Sequence, residues 1–157
     1  YKGIDLSFNL QGVQGNKILN LQRRYIANME GNVNSMVIAL DRFQSVENPG
    51  NGQVNRANRK STGNNSRTST WHLEDGSYLR MQNITLGYTL PKNFVQKFGL
   101  TSLRLYFSGQ NLFTITNYSG YNPEVSNYNS NGSLTPGVDY GSYPLSKTYS
   151  FGLNVSF

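Results

Sequence analysis

No cysteine occurs in the 157 residues, so neither a disulfide framework nor a thiolate metal site can form within the chain. Histidine occurs once, at His72. A single imidazole builds no histidine metal cage, and no His-dependent catalytic triad can be assembled around it here. Beside Trp71, at a loop-to-strand junction, it reads as a surface or packing residue. Charge is scarce as well: 14% of residues are Asp, Glu, Lys or Arg, against roughly 25% in an ordinary globular domain. No run of roughly eighteen apolar residues exists, so no transmembrane helix is expected. The mean hydropathy of -0.53 does not exclude a membrane barrel, because half of each barrel strand is polar. No leader pattern precedes the first strand pattern, so the chain is expected to be a piece of a larger protein that starts elsewhere. No cofactor is implied.

What the chain has is Gly, Asn, Ser and aromatics, the last at 13%. The residues from Lys147 to Phe157 alternate almost without error. Tyr149, Phe151, Leu153, Val155 and Phe157 fall on one parity; Thr148, Ser150, Gly152, Asn154 and Ser156 fall on the other. Side chains of a strand point alternately to opposite faces, so this is one strand with an apolar face and a small polar face. About ten residues is the length of a tilted strand crossing a bilayer. Ile4, Leu6, Phe8 and Leu10 alternate in the same way with Asp5, Ser7, Asn9 and Gln11. An Asp on the polar face suits a wet interior better than a packed core. Ile84, Leu86, Tyr88 and Leu90 alternate with Asn83, Thr85, Gly87 and Thr89, and Leu103, Leu105 and Phe107 with Arg104, Tyr106 and Ser108. Upstream of Asn83 the phase slips, with Leu79 and Met81 apolar on the opposite parity. A bulge would do this. Alternatively, residues 77–82 rise above the membrane and answer to loop packing, which is the preferred reading.

The strands are expected at about 3–14, 77–90, 101–113 and 147–157, with long loops at about 15–76 and 114–146. In the first loop, Leu21, Tyr25 and Met29 suggest a short helix within Ile18–Glu30. A second helical candidate runs from Asn34 or Ser35 to Phe43. Asn48-Pro49-Gly50-Asn51-Gly52 is a turn cluster. Asn55 to Thr70 is polar and without period. Much of the formal charge of +6 lies there, in Arg56, Arg59, Lys60 and Arg67. A nucleic-acid patch is one reading of those cations. A solvated loop is preferred, because no aromatic platform interleaves them. A short connector at about 91–100 can start a helical turn at Pro91 and end it at Gly99. With Phe157 on the periplasmic side, both long loops are extracellular and the short connector is periplasmic, the asymmetry of outer-membrane barrels. Four strands cannot close a barrel, which takes about eight or more, so further strands are expected before Tyr1.

Few residues suggest bond chemistry. Glu124 and Asp139 are a conceivable acid–base pair for glycoside hydrolysis, but two loop carboxylates are more simply solvated or bonded to local amides. Gly50 and Gly52 lack the Lys-Ser/Thr of a phosphate loop. Tyr118, Tyr121, Tyr128, Tyr140 and Tyr143 offer flat apolar faces with polar edges, suited to stacking on sugars or peptides. The same rings equally suit loop packing or an outer aromatic girdle.

Several segments, in order, resemble one family. Asp75-Gly-Ser-Tyr-Leu-Arg-Met-Gln-Asn-Ile-Thr-Leu-Gly-Tyr-Thr-Leu-Pro91 and Leu103-Arg-Leu-Tyr-Phe-Ser-Gly-Gln-Asn-Leu-Phe-Thr114 resemble consecutive strands of SusC/RagA-type TonB-linked outer-membrane transporters. Gly120-Tyr-Asn-Pro-Glu124, Gly137-Val-Asp-Tyr-Gly-Ser-Tyr-Pro144 and the Thr148–Phe157 strand are similar to the last loop and closing strand of that family. Asp5 to Gly12, Asp41 to Phe43 and Asn48-Pro49 also match, while Gly52 to Thr70 matches least. Position 122 is Asn where the family often has Asp. The resemblance implies an all-β fold, the last four strands of an antiparallel transmembrane barrel of about 22 strands filled by an N-terminal plug. It implies a Gram-negative outer-membrane location and no enzymatic activity. It implies import of large nutrients, glycans or peptides, driven by TonB through the N-terminal part of the whole protein. The implied partners are a SusD-like surface lipoprotein acting as a lid, outer-membrane lipid and the barrel assembly machinery, with no nucleic acid. Tyr118, Tyr121, Glu124, Tyr128, Asp139 and Tyr140 become the expected ligand or lid contacts. Tyr149, Phe151, Leu153, Val155 and Phe157 become the expected assembly signal. Rival readings are a non-transporting barrel or adhesin, and a soluble β-rich carbohydrate-binding module.

Overall fold

The computed structural model describes residues 2–32, 34–60, 63–125 and 136–157. Among them, seven strands occur in chain order: β1 (Ile4–Val13), β2 (Lys17–Asn20), β3 (Leu73–Asp75), β4 (Tyr78–Thr89), β5 (Ser102–Thr116), β6 (Val138–Asp139) and β7 (Thr148–Ser156). Two short helices are α1 (Leu21–Ile26) and α2 (Lys92–Val95). The chain divides into two compact units, residues 1–14, 77–117 and 144–157 in one and residues 15–76 and 118–143 in the other.

The first unit is a four-stranded antiparallel sheet in the order β1-β4-β5-β7. Its register sorts the two parities into rows. Ile4, Tyr88, Leu105 and Leu153 pair in succession across the four strands, as do Leu6, Leu86, Phe107 and Phe151. Paired residues share a face, so these rows build one continuous apolar surface. It is exposed, with Phe151 at 85%. Phe107 stacks near Tyr149 at a centroid distance of 6.1 Å and meets Phe151 at 4.9 Å. The opposite face carries Asp5, Gly87, Tyr106 and Gly152 in one row and Ser7, Thr85, Ser108 and Ser150 in the next.

The phase slip upstream of Asn83 is a bulge, contrary to the preferred sequence reading. Against β1 the register jumps between Asn9 and Leu10, which leaves Gln82 as the extra residue; against β5, Gln82 stands opposite two residues, Asn111 and Leu112. Tyr78 to Met81 stay paired to both neighbouring strands, so their inverted parity comes from the inserted residue. Asn9 Nδ2 donates to Gln82 Oε1 at 2.8 Å. The β4–β5 connector turns through α2 and a 3-10 turn at Gln96–Phe98, and Gly99 closes it at φ 72°. That left-handed conformation favours glycine.

The second unit has its own small sheet, β3-β2-β6, in which β2 runs antiparallel to β3 and parallel to β6. Ile18 is buried in β2, so the helix expected over Ile18–Glu30 contracts to α1. Asn20 caps it: its Oδ1 accepts the Arg23 N–H at 2.9 Å. The second helical candidate contracts to a 3-10 segment at Val37–Asp41, which buries none of its residues. Without a buried face, nothing extends that turn into an amphipathic helix. Ile18, Leu21, Ala27, Met29 and Val54 form the core of this unit.

Candidate functional site

The polar face of the first unit is organised by what crosses it. Arg104 on β5 donates from Nε and Nη2 to the two carboxylate oxygens of Asp5 on β1, at 3.0 and 2.6 Å. A row further on, Thr85 Oγ1 donates to Ser108 Oγ at 3.0 Å. Tyr106 lies over Gly152, where an added Cβ would stand 2.2 Å from the ring. This face is therefore polar, hydrogen-bonded and shaped by small residues, as suits a water-filled or protein-filled interior.

In the second unit two carboxylates, the buried Asp139 and the half-buried Glu74, hold the chain. Asp139 is 0% exposed. Its Oδ2 accepts from the Tyr118 hydroxyl at 2.5 Å, and its Oδ1 accepts from the Gly141 and Ser142 N–H groups at 2.8 and 2.7 Å. Burial pushes its pKa up, but these donors outweigh burial and hold it below the ordinary Asp value. Burial, then the bond to Asp139, raises the Tyr118 phenol well above its usual range. Glu74 on β3 accepts from the Ser119 N–H and Oγ, both at 2.9 Å, and from Asn20 Nδ2 at 3.1 Å. Arg23 lies 3.4 Å away and stacks over Trp71, 3.9 Å from the ring centroid. Here too burial acts upward and the donors win, so Glu74 sits below the usual Glu value. His72 is buried, its Nε2 has no partner among the described residues, and burial lowers its pKa.

These positions divide the expected contact residues. Tyr118, 5% exposed, and Asp139 face inward and brace the unit, which leaves neither free to meet a ligand or a lid. Asp139 has both oxygens engaged by Tyr118, Gly141 and Ser142. Tyr121 is 66% exposed, and Glu124, Tyr140 and Tyr143 are exposed as well. Asn122 is buried; its Oδ1 accepts the Glu124 N–H and its Nδ2 donates to the Glu124 carbonyl, each at 3.1 Å. That fixes the turn on which Glu124 is presented. Tyr128 lies outside the described residues. Of the expected assembly signal, Tyr149, Phe151, Leu153 and Val155 lie along β7, and Phe157 follows its last residue. Glu74 and the Asp5–Arg104 pair carry no local signal in the sequence. Gly87 and Gly152 gave the one available hint, as glycines on the polar parity of long strands.

No family model matches the chain. It is 36% identical over 160 residues to the TonB-dependent receptor P3 of Formosa agariphila and 33% identical over 159 residues to the TonB-dependent receptor P26 of the same organism. Each alignment covers 100% of this chain, but 15% and 16% of the relative. The TonB-dependent receptor SusC of Bacteroides thetaiotaomicron is 33% identical over 90 residues, covering 57% of this chain and 8% of SusC. Among solved structures, that of the RagAB peptide transporter superposes with a TM-score of 0.77 at 26% identity, over 99% of this chain and 16% of that one. The chain thus spans about a sixth of the length of the relatives it matches throughout. In sequence and in fold, it belongs to the SusC/RagA type of TonB-dependent receptor, as a segment of such a protein.

Proposed function

We propose that the whole protein imports large nutrients, glycans or peptides, across a Gram-negative outer membrane, and that the four-stranded sheet is part of its barrel wall. One observation carries this reading: the exposed apolar rows across β1, β4, β5 and β7, backed by a face of Asp, Ser, Thr, Asn and Arg. So large an apolar surface needs a cover. Lipid supplies one along every row at once, while the polar face meets the lumen. Hydrocarbon cannot hydrogen-bond a strand edge, so β1 and β7 pair with further strands of a closed ring. Both long connections leave the same end of the sheet, which becomes the extracellular end, and the α2 connector becomes periplasmic.

In this reading TonB acts through the N-terminal part of the whole protein, and a SusD-like lipoprotein closes the barrel from outside. Tyr121, Glu124 and Tyr140 stay the candidates for ligand or lid contact. No bond is made or broken by this segment. Deleting the whole gene should abolish uptake of the imported nutrient, and a plasmid copy should restore it only in cells with functional TonB. A lipoprotein should co-purify with the tagged full-length protein. Uptake that persists in the deletion strain, or restoration without TonB, would defeat the proposal.

A further inference from the structure

The polar stretch between Asn55 and Arg67 carries four basic residues and no acidic one. Part of it encloses a hollow of about 470 Å³ lined by Arg56, Asn58, Arg59, Lys60, Gly63 and Asn65. Among the described residues, none of its three cations joins an ion pair; Arg59 Nε donates instead to Asn32 Oδ1 at 3.2 Å. Solvated cations on a loose loop would mean little. This backbone, however, is pinned. The Asn58 N–H donates to the Met29 carbonyl at 3.0 Å and the Gly31 N–H to the Asn58 carbonyl at 3.1 Å. Asn65 Nδ2 reaches the Asn28 carbonyl at 2.8 Å and the Arg56 carbonyl at 2.7 Å. The Lys60 N–H donates to Asn58 Oδ1 at 3.0 Å.

Glu30 is a carboxylate engaged by the backbone that lines the hollow. It is buried and accepts the Asn65 N–H at 2.9 Å. That bond leads a set, with others from Ser66 and Gly63, that keeps Glu30 ionised despite burial. Glu30 thus holds the loop together and, among the described residues, forms no ion pair with the three cations. Gly63 lets the backbone lie close against Asn58, since a Cβ there would stand 2.7 Å from Asn58 Nδ2.

We propose that this hollow is a binding site for an anionic group, a carboxylate, sulfate or phosphate. Arginine forks match such oxyanions with paired donors. A scaffold already ordered loses little entropy on binding. The site goes beyond the transport reading and does not depend on it. Its ligand is either a charged group on a diffusible saccharide or the phosphate of a lipid headgroup, and the test separates the two.

Purified full-length protein in detergent is titrated with fluorescent dextran sulfate, with uncharged dextran, and with phosphatidic acid against phosphatidylcholine. The triple variant R56A/R59A/K60A is compared with K92A/K97A, which removes two exposed lysines from the α2 connector. The triple variant should bind dextran sulfate, phosphatidic acid or both on the order of tenfold more weakly, as expected for lost charged hydrogen bonds. K92A/K97A should bind as the parent does. Loss for dextran sulfate alone assigns a diffusible ligand, and loss for phosphatidic acid alone assigns a lipid. Unchanged binding by the triple variant overturns the site. So does an equal loss in K92A/K97A, which would mean diffuse attraction to a basic protein. On the unmutated protein, the ligand that binds should protect Arg56 and Arg59 from phenylglyoxal; modification at the free rate counts against the site.

Discussion

Arg104 and Asp5 sit on strands that do not touch, and their side chains meet over the glycine of the strand between. Both carboxylate oxygens are engaged, at 3.0 and 2.6 Å. Gly87 on β4 makes the crossing possible: a Cβ there would stand 2.4 Å from Arg104 Nη2 and 2.5 Å from Asp5 Oδ1. Gly87→Leu should therefore lower the temperature at which the full-length protein loses its compact form on a heat-modifiability gel, although no charge is removed. Asp5→Ala should act in the same direction. A Gly87→Leu variant that melts with the parent would show that the crossing contributes nothing.

A second close approach lies one strand over. Gly152 leaves room for the Tyr106 ring, with an added Cβ only 2.2 Å from Cζ. Gly152→Val should cost about 1–3 kcal/mol, the usual range for overpacking. Adding Tyr106→Ala should recover part of that loss. Denaturant unfolding in detergent of the parent, both single variants and the double variant measures the coupling, and purely additive losses would refute the contact.

The Tyr118–Asp139 bond makes the second unit sensitive to acid. Both Asp139 and Glu74 titrate below their unfolded values. Each therefore contributes stability that is present above the unfolded carboxylate pKa, roughly pH 4, and lost as pH falls through the lowered folded one. His72, also depressed, acts in the same sense from a higher pH: its contribution is present above its unfolded value, about 6.5, and lost as pH falls through the folded one. Limited proteolysis of the second unit should accelerate as pH drops, beginning below about pH 6.5. Asp139→Asn should be cleaved faster than the parent at neutral pH and change less with acid. Tyr118→Phe should cost about 1.5–3 kcal/mol, the range for a hydrogen bond to a charged group. Cleavage rates that are flat with pH would contradict the assignment.

The proposed lipid exposure of β7 carries its own consequence. Leu153→Arg should cost about 2–4 kcal/mol if it sits near the bilayer midplane, while Asn154→Arg, on the opposite face, should cost far less. Removing Phe157 should reduce the amount of assembled protein at the cell surface before it alters any ligand affinity. Surface immunolabelling against total protein reads this directly. Normal surface levels without Phe157 would reject its role in assembly.

The strands of the first unit were legible because each residue's face depends only on parity. The same rule explains where reading stopped. At Gln82 a single inserted residue inverted the parity, and nothing local distinguishes an insertion from a strand that ends. In the second unit β2 and β6 have four and two residues, too few for any period. They exist because the Leu19 N–H finds the Gly137 carbonyl at 2.8 Å, more than a hundred residues away in sequence. Tyr118 and Asp139 were visible as polar loop residues suited to a ligand. That they bind each other depends on a fold that brings two distant segments together, and composition does not encode it. Helical spacing at Leu21 and Tyr25 was real but gave only α1, because Ile18 had a better partner in β3.

In the proposed barrel wall, one face of the sheet meets lipid and the other meets the lumen. Spin labels placed singly at residues 149 to 155 of the full-length protein in bilayers test it most directly, through collision with lipid-soluble oxygen and with a water-soluble nickel complex. Labels at 149, 151, 153 and 155 should favour oxygen, and those at 150, 152 and 154 should not, giving a period of two along β7. Uniform accessibility, or the opposite phase, would rule out a lipid-facing row along β7.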